Sequence, residues 1–110
     1  MTTLLVIDDD EAFRDGLAET LRDLGHNVSE AANGEDGLTL FAAARPGLVF
    51  LDLRMPGLDG LSVLKRLCGD AAAPPVPVIV LTAYASGANT IDAMLLVPRH
   101  SGYDLLAVLG

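Results

Sequence analysis

Four consecutive apolar residues, at positions 48–51, lead directly into a single carboxylate, Asp52. An apolar run of this length, bounded by turn residues, is typical of a strand that is covered on both faces in a parallel sheet. Asp52 then lies at the carboxyl end of the strand, which is the edge where open α/β sheets bind ligands. This position makes Asp52 a candidate reactive residue. An aspartate here could instead cap the turn that follows, so this stretch alone leaves both roles open.

The same pattern, an apolar run followed by acids, occurs near the N-terminus. Residues 4–7 are apolar and precede Asp8, Asp9 and Asp10. Apolar residues at helical spacing follow, with acids in the first turn and Gly25 in position to end the helix. We therefore predict two buried strands that end in acids, the first of them followed directly by a helix.

The remaining elements alternate between strand and helix patterns. In chain order they are predicted as a weak strand at 28–31, a helix ended by Pro46, the Asp52 strand, a helix at 61–67, a strand at 78–81, a helix at 88–96 and a last helix at 103–109. Strands that alternate with helices at this spacing favour right-handed crossovers and a parallel sheet with helices on both faces. We expect an α/β sandwich.

Length and charge limit the class of protein. The 110 residues suffice for one domain with a core and are too few for two. The net charge of −8, with seven scattered lysines and arginines, argues against direct binding of nucleic acid. No apolar run approaches the ~20 residues that span a bilayer, and the N-terminus lacks the basic flank of a signal peptide. We predict a cytoplasmic protein of a single domain, 1–110, without membrane contact.

The predicted topology brings three carboxylates together. In the strand order 2-1-3-4-5 the first strand lies beside the third, about 4.8 Å away, so Asp8, Asp9 and Asp52 converge at one edge. Carboxylates this close repel one another unless they are protonated or share a cation. A cluster of oxygen ligands without His or Cys favours Mg²⁺.

The fourth strand adds groups that suit an anion. It brings the hydroxyl of Thr82 and the backbone N–H of Ala83 to the same edge. A Mg²⁺ site beside such donors is suited to a phosphoryl group, and aspartate is a known nucleophile that forms an aspartyl-phosphate. The sequence therefore predicts phosphorylation of Asp52.

Three motifs occur in order: an Asp-Asp pair after the first strand, Asp-x-x-Met-Pro-x-x-Asp-Gly from Asp52 to Gly60, and Thr-Ala at 82–83. With these motifs the sequence resembles the receiver domain of bacterial two-component response regulators, from Thr3 to about Met94. The resemblance implies a flavodoxin-like three-layer sandwich with sheet order 2-1-3-4-5.

The resemblance also implies roles for the residues of the acidic edge. Asp52 is then the phosphoacceptor, and a histidine kinase or phosphotransfer protein is the donor. Asp8 and Asp9 are the acidic pair that holds Mg²⁺, and the carbonyl of Arg54 is a further metal ligand. Thr82 is the switch hydroxyl, which turns toward the phosphoryl group. Next to it Ala83 leaves room for backbone contact, while Pro56, Gly57 and Gly60 shape the loop after Asp52.

The C-terminal part departs from the family. Where the family has a Lys-Pro pair, whose lysine binds the phosphoryl group, this chain has Val97 and Pro98. Only fifteen residues separate Thr82 from Pro98, too few for a helix and a strand with their loops. We therefore expect the fifth strand to be truncated or missing, unless residues between Met94 and Pro98 are absent from the sequence. Arg99 would have to fold back to replace the lysine.

Loss of the fifth strand would leave the fourth strand at an open edge. That edge could pair with a second chain, or the last helix could exchange between protomers, so a homodimer is possible.

Two other functions compete with the phosphoacceptor. A degenerate receiver would keep the fold and bind its partner regardless of phosphorylation, and Val97 in the lysine position favours it. A Mg²⁺-dependent phosphohydrolase shares the aspartyl-phosphate, but it needs a general acid or base where Arg54 stands. We predict a switch rather than an enzyme.

Overall fold

The structure is a computed structural model that describes residues 2–55, 57, 59–69, 76–83, 91–99 and 102–109. In chain order its elements are β1 (Thr3–Ile7), α1 (Glu11–Asp23), β2 (Asn27–Ala31), α2 (Gly34–Ala44), β3 (Leu48–Asp52), α3 (Gly60–Gly69), β4 (Val78–Ala83), β5 (Ile91–Arg99) and β6 (Gly102–Leu109).

The strands form one sheet with the order β2-β1-β3-β4-β5-β6. The first four strands run parallel, with β1 between β2 and β3. The predicted order 2-1-3-4-5 is confirmed. In this register Ile7 pairs with Leu51, and Asp52 pairs with Leu81, so β1, β3 and β4 all end at one edge. We call this edge the acidic edge, after Asp8, Asp9 and Asp52.

The helices lie on both faces of the sheet. Glu30 of β2 contacts α1 through ion pairs with Arg14 and Arg22. The next residue, Ala31, belongs to the core cluster that also contains Phe41 of α2. Because successive residues of a strand point to opposite faces, α1 and α2 lie on opposite sides of the sheet.

Most of the fully buried side chains of the core come from the central strands. Leu5, Ile7, Val49, Leu51, Val78 and Val80 alternate along β1, β3 and β4, and each is at most 1% exposed. They pack against buried residues of α2 and α3, and Met55, just after β3, belongs to the same cluster. The alternation of these residues fixes the register, because a slip of one position would turn the buried set toward the other face.

The prediction of two C-terminal helices is wrong. Residues 91–96, predicted as part of a helix at 88–96, belong to β5, and the helix predicted at 103–109 is β6; residues 84–90 lie outside the described part of the chain. Consecutive Leu95 and Leu96 are both half-buried, as expected for a strand that is apolar on both faces. A short apolar run of this kind cannot be assigned to helix or strand from periodicity alone.

The predicted parallel sheet is confirmed for the first four strands, but the sheet as a whole is mixed, because β5 runs antiparallel to β4 and β6 antiparallel to β5. The parallel fifth strand of the family pattern is thus missing, and an antiparallel hairpin occupies its place. An antiparallel strand needs only a short connection after β4, whereas a parallel strand would need a crossover of a dozen or more residues between β4 and β5.

β4 is therefore paired on both sides, and the expected open edge at this strand does not exist; on this side of the sheet the last strand is β6. Among the described residues, no helix combines the length and the apolar character needed to cross a membrane.

Candidate metal and phosphoryl site

Three carboxylates meet at the acidic edge. Asp8 follows β1 directly, Asp9 is the next residue, and Asp52 is the last residue of β3. One oxygen from each of these side chains lies within 4.8 Å of the other two. The predicted convergence is confirmed, and it follows from the pairing of β1 with β3 in a register that ends both strands at the same level.

The three side chains differ in exposure. Asp8 is buried, with 5% of its surface exposed, whereas Asp52 is half-buried and Asp9 exposed. The cluster therefore has a closed side at Asp8 and an open side at Asp9. A ligand can approach from the side of Asp9 and Asp52.

Backbone amides orient two of the carboxylates. The N–H of Asp10 donates to Asp8 Oδ1 at 2.9 Å, and the N–H of Arg54 donates to Asp52 Oδ1, also at 2.9 Å. Each donor lies two residues after its acceptor, which is the geometry of an Asx turn. Asp52 therefore caps the turn that follows β3, which was the alternative role considered from the sequence. It also belongs to the carboxylate cluster.

Burial and crowding change the protonation of the cluster. Burial raises the pKa of Asp8 from 3.8 to about 6, against the opposing effect of the Asp10 amide, and the nearby charge of Asp52 adds to the increase. Burial also raises the pKa of Asp52, opposed by the Arg54 amide. The nearby charge of Asp9 raises the pKa of Asp52 further, so both carboxyl groups hold a proton more readily than an exposed aspartate does.

The loop after Asp52 depends on two glycines. Gly57 has φ of 81°, a value that residues with a side chain rarely adopt. Gly60 begins α3 so close to β3 that a Cβ would meet the Cα of Leu53 and lie 2.7 Å from the carbonyl oxygen of Asp52. Both glycines therefore shape this loop, as predicted; Pro56 lies outside the described residues.

Two aspartates that border the site act as helix caps. Asp10 accepts from the N–H of Phe13 and caps α1, and Asp59 accepts from the N–H of Ser62 at the start of α3. The hydrogen bond from Ser62 also lowers the pKa of Asp59. Outside the carboxylate cluster, these two acids have structural roles.

β4 carries Thr82 and Ala83 to the acidic edge. Leu81 pairs with Asp52, and Thr82 and Ala83 follow Leu81 as the last residues of the strand. The backbone therefore places both residues at the predicted level. On their other side they pair with Asp92 and Ile91 of β5.

The position of the expected lysine is far from this edge. Because β5 is antiparallel, Leu96 pairs with Val78, at the start of β4, and Val97, Pro98 and Arg99 continue past that end. The idea that Arg99 folds back toward Asp52 is wrong, since β5 carries it to the opposite edge. Instead, the backbone of β5 brings Asp92 to the level of Thr82.

Sequence reasoning missed Arg14 and Glu30. Arg14 Nη1 donates to the carbonyl oxygen of Asp8 at 2.8 Å, and Arg14 Nε lies 3.5 Å from Glu30 Oε1. The sequence did contain a signal for this contact: Arg14 lies near the start of α1, which directly follows three acids.

Comparisons with known proteins agree with this geometry. The family described as the response regulator receiver domain matches residues 4–106. The transcriptional regulatory protein AfsQ1 of Streptomyces coelicolor is 45% identical over 104 residues, which are 94% of this chain and 43% of AfsQ1. The chain thus spans less than half the length of this relative.

Solved structures share the fold. The N-terminal domain of a response regulator receiver protein from Methanoculleus marisnigri has a TM-score of 0.72 and 36% identity, over 76% of this chain and 68% of that one. The response regulator TrrA of Thermotoga maritima, solved in complex with Mg²⁺-BeF, has a TM-score of 0.68 and 37% identity, over 77% and 72% of the two chains. The chain therefore belongs to the response regulator receiver domain family.

Proposed function

We propose that residues 1–110 act as a single phosphoacceptor module of a two-component phosphorelay, in which a histidine kinase or phosphotransfer protein phosphorylates Asp52. The observation that carries this proposal is the convergence of three carboxylates within 4.8 Å at the end of β1 and β3. The complex of TrrA with Mg²⁺-BeF supports it, because that relative has the same fold. We also propose that the module is cytoplasmic, in the same compartment as the catalytic part of such a donor.

The acidic edge fits a Mg²⁺ ion. Asp8, Asp9 and Asp52 supply only oxygen ligands, and burial together with the charges of its neighbours raises the pKa of Asp8, as expected for carboxylates that a bound cation would stabilise. We assign these three carboxylates and the carbonyl of Arg54 as the metal ligands. When bound, Mg²⁺ would neutralise the carboxylates and the phosphoryl oxygens during transfer.

The transfer itself uses one oxygen of Asp52. A carboxylate oxygen attacks phosphorus, the bond from phosphorus to the donor's imidazole nitrogen breaks, and its electron pair remains on that nitrogen. The N–H of Arg54, 2.9 Å from Oδ1, holds the carboxylate in one orientation. Thr82 and Ala83 follow Leu81 at the same edge, and we assign them the contacts that report the added charge.

A degenerate receiver remains the second candidate, and one observation favours it. The antiparallel course of β5 removes position 97 from the site and brings an acid, Asp92, to the level of Thr82. Such a module would bind its partner regardless of phosphorylation. A phosphohydrolase is not favoured, since receiver domains are generally signalling modules and Arg54 occupies the position of the acid or base that it needs.

The deciding experiment is the intact mass of the protein after incubation with acetyl phosphate and Mg²⁺. We expect one added phosphoryl group, about 80 Da, which the Asp52→Asn variant does not acquire. Asp59→Asn is the matched control, because Asp59 caps α3 outside the carboxylate cluster, and it should accept the group as the wild type does. Absence of the added mass from the wild type would favour the degenerate receiver, and repeated turnover of an aryl phosphate would favour the hydrolase.

The partners follow from the same reasoning. We propose a histidine kinase or phosphotransfer protein as the donor, and no direct contact with nucleic acid, because the net charge is −8.

A homodimer is a further proposal. Two copies could join through β6, the last described strand of the sheet. Sedimentation velocity at increasing concentration should then show a second species; a constant monomer would contradict the dimer.

A further inference from the structure

Arg14 of α1 forms a hydrogen bond with the backbone inside the acidic cluster. Its Nη1 lies 2.8 Å from the carbonyl oxygen of Asp8, and only 14% of its side chain is exposed. This carbonyl belongs to the peptide unit that joins Asp8 to Asp9. The guanidinium therefore contacts the planar group that connects two of the three carboxylates.

The same guanidinium also reaches β2. Arg14 Nε lies 3.5 Å from Glu30 Oε1, a buried oxygen without a hydrogen-bond donor among the described residues. The next residue of β2, Ala31, accepts a hydrogen bond from the N–H of Asp8 at 3.0 Å. The Asp8 backbone is thus held on both sides, at its N–H by β2 and at its carbonyl by Arg14.

We propose that Arg14 is a positioning residue for the metal site, which sets the plane of the Asp8–Asp9 peptide so that both carboxylates face Asp52. The peptide unit is rigid, so a rotation at its carbonyl also rotates the Asp9 side of the bond. A hydrogen bond from a charged donor that is mostly buried is strong enough to select one orientation. Groups that orient metal ligands from outside commonly change metal affinity by tenfold or more.

Arg22 provides a matched control on the same helix. Its Nη2 forms an ion pair with the same acid, Glu30, at 3.1 Å, and donates to a backbone carbonyl, that of Val28, at 3.0 Å. Arg22 therefore makes the same two kinds of contact as Arg14. Two differences remain: its carbonyl partner lies in β2, away from the acidic loop, and 49% of its side chain is exposed.

The first test uses the metal-free protein and nuclear magnetic resonance of backbone amides. Arg14→Gln should shift the amide nitrogen of Asp9, because that nitrogen shares the peptide unit whose carbonyl loses its donor. Arg22→Gln should shift the amide of Ser29 in the same way and leave Asp9 unchanged. An unchanged Asp9 amide in Arg14→Gln would overturn the inference.

The second test is calorimetric titration of the full chain with Mg²⁺ alone. Arg14→Gln should weaken Mg²⁺ binding by about tenfold, whereas Arg22→Gln should stay within about twofold of the wild type. Arg14→Lys should fall between the wild type and Arg14→Gln, since lysine keeps the charge but has a single donor group for two separate acceptors. If Arg14→Gln does not fold, the same comparison between Arg14→Lys and Arg22→Lys decides the question.

This inference rests on the proposed Mg²⁺ site, and the outcomes separate the two. A wild-type chain that binds no Mg²⁺ would overturn the metal site and this role with it. Wild-type binding with unchanged affinity in Arg14→Gln would overturn only the role of Arg14. Equal losses of affinity in Arg14→Gln and Arg22→Gln, in proportion to their losses of stability, would also overturn it.

Discussion

Asp8 links the charge of the site to the stability of the fold. It is 5% exposed, and its pKa in the folded chain is about 6, compared with 3.8 for an exposed aspartate. Between these values the folded chain holds a proton that the unfolded chain has released. At neutral pH and without metal, the ionised Asp8 therefore lowers the free energy of unfolding.

We expect the free energy of unfolding of the metal-free protein to fall as pH rises from about 4 to above 6. The stabilising contribution of the proton on Asp8 is complete below the unfolded pKa and is lost as pH passes the folded pKa. Its size is on the order of 3 kcal/mol, at 1.36 kcal/mol per pKa unit. Urea unfolding at several pH values measures it. In Asp8→Asn this part of the slope should disappear; an identical slope would assign the effect to other groups.

The affinity for Mg²⁺ should change with pH in the opposite direction, rising where the stability of the metal-free protein falls. Metal ligation requires ionised carboxylates, so Mg²⁺ must displace the proton from Asp8 below pH 6. The affinity for Mg²⁺ should rise by up to about tenfold per pH unit below pH 6 and level off above it. Calorimetric titration at pH 5, 6, 7 and 8 would test this, and an affinity independent of pH would exclude Asp8 as a ligand that must lose its proton.

At the scale of elements, the start of α3 fixes the loop after Asp52. Gly60 allows the helix to approach β3 so closely that its N–H lies 3.4 Å from the carbonyl oxygen of Leu53. A Cβ on residue 60 would contact backbone atoms of Leu53 and Asp52, which cannot move as a flexible side chain can.

Gly60→Ala should therefore destabilise the fold by about 1–3 kcal/mol, as overpacking does, and lower the rate at which Asp52 is phosphorylated. Gly16→Ala is the control, because a Cβ at this position in α1 has no atom within 4 Å. Alanine there should stabilise the helix by about 0.5–1 kcal/mol. Urea unfolding of both variants measures the two effects. A stable Gly60→Ala variant would show that α3 can move away from β3.

The same scale shows which elements the sequence predicts. β1 and β3 were recognisable because each apolar run ends in an aspartate, and α1 because acids precede it and Gly25, with φ of 98°, follows it. The convergence of Asp8, Asp9 and Asp52 follows from the topology alone. The contact of Arg14 with Asp8 could not be predicted from the topology, because it depends on the rotation of α1 about its axis and on the side-chain conformation of an arginine.

The C-terminal strands could not be predicted for a different physical reason. From Ile91 to Val97 the chain is apolar at nearly every position, so neither a period of 2 nor one of 3.6 is visible. Pairing with neighbouring strands then decides the conformation of β5, and one of its two neighbours, β6, was itself predicted as a helix. The two errors are therefore coupled, since neither strand is recognisable without the other.

At the scale of the whole molecule, the course of β5 decides where a cation could assist phosphoryl transfer. β5 passes the acidic edge at Asp92, opposite Thr82, and ends at the other edge of the sheet, where Val97 and Arg99 pair with β6. Restoring the family's Lys-Pro pair by Val97→Lys should therefore leave the rate of Asp52 phosphorylation within about twofold of the wild type, because a lysine at 97 lies at the wrong end of β4.

Asp92→Lys should instead raise that rate by about tenfold, since it exchanges a negative for a positive charge at the position whose backbone pairs with Thr82. A tenfold rate corresponds to a barrier lower by about 1.4 kcal/mol. The intact mass followed over time with acetyl phosphate and Mg²⁺ compares the two variants. A larger gain from Val97→Lys than from Asp92→Lys would contradict the antiparallel course of β5.

The antiparallel β5 also separates position in the sequence from position in the molecule. The sequence pattern places Val97 where the family motif has its lysine, but the backbone places position 92, and not position 97, opposite Thr82. In this chain, a match to the order of the family's motifs therefore indicates a matching place at the acidic edge only as far as the end of β4.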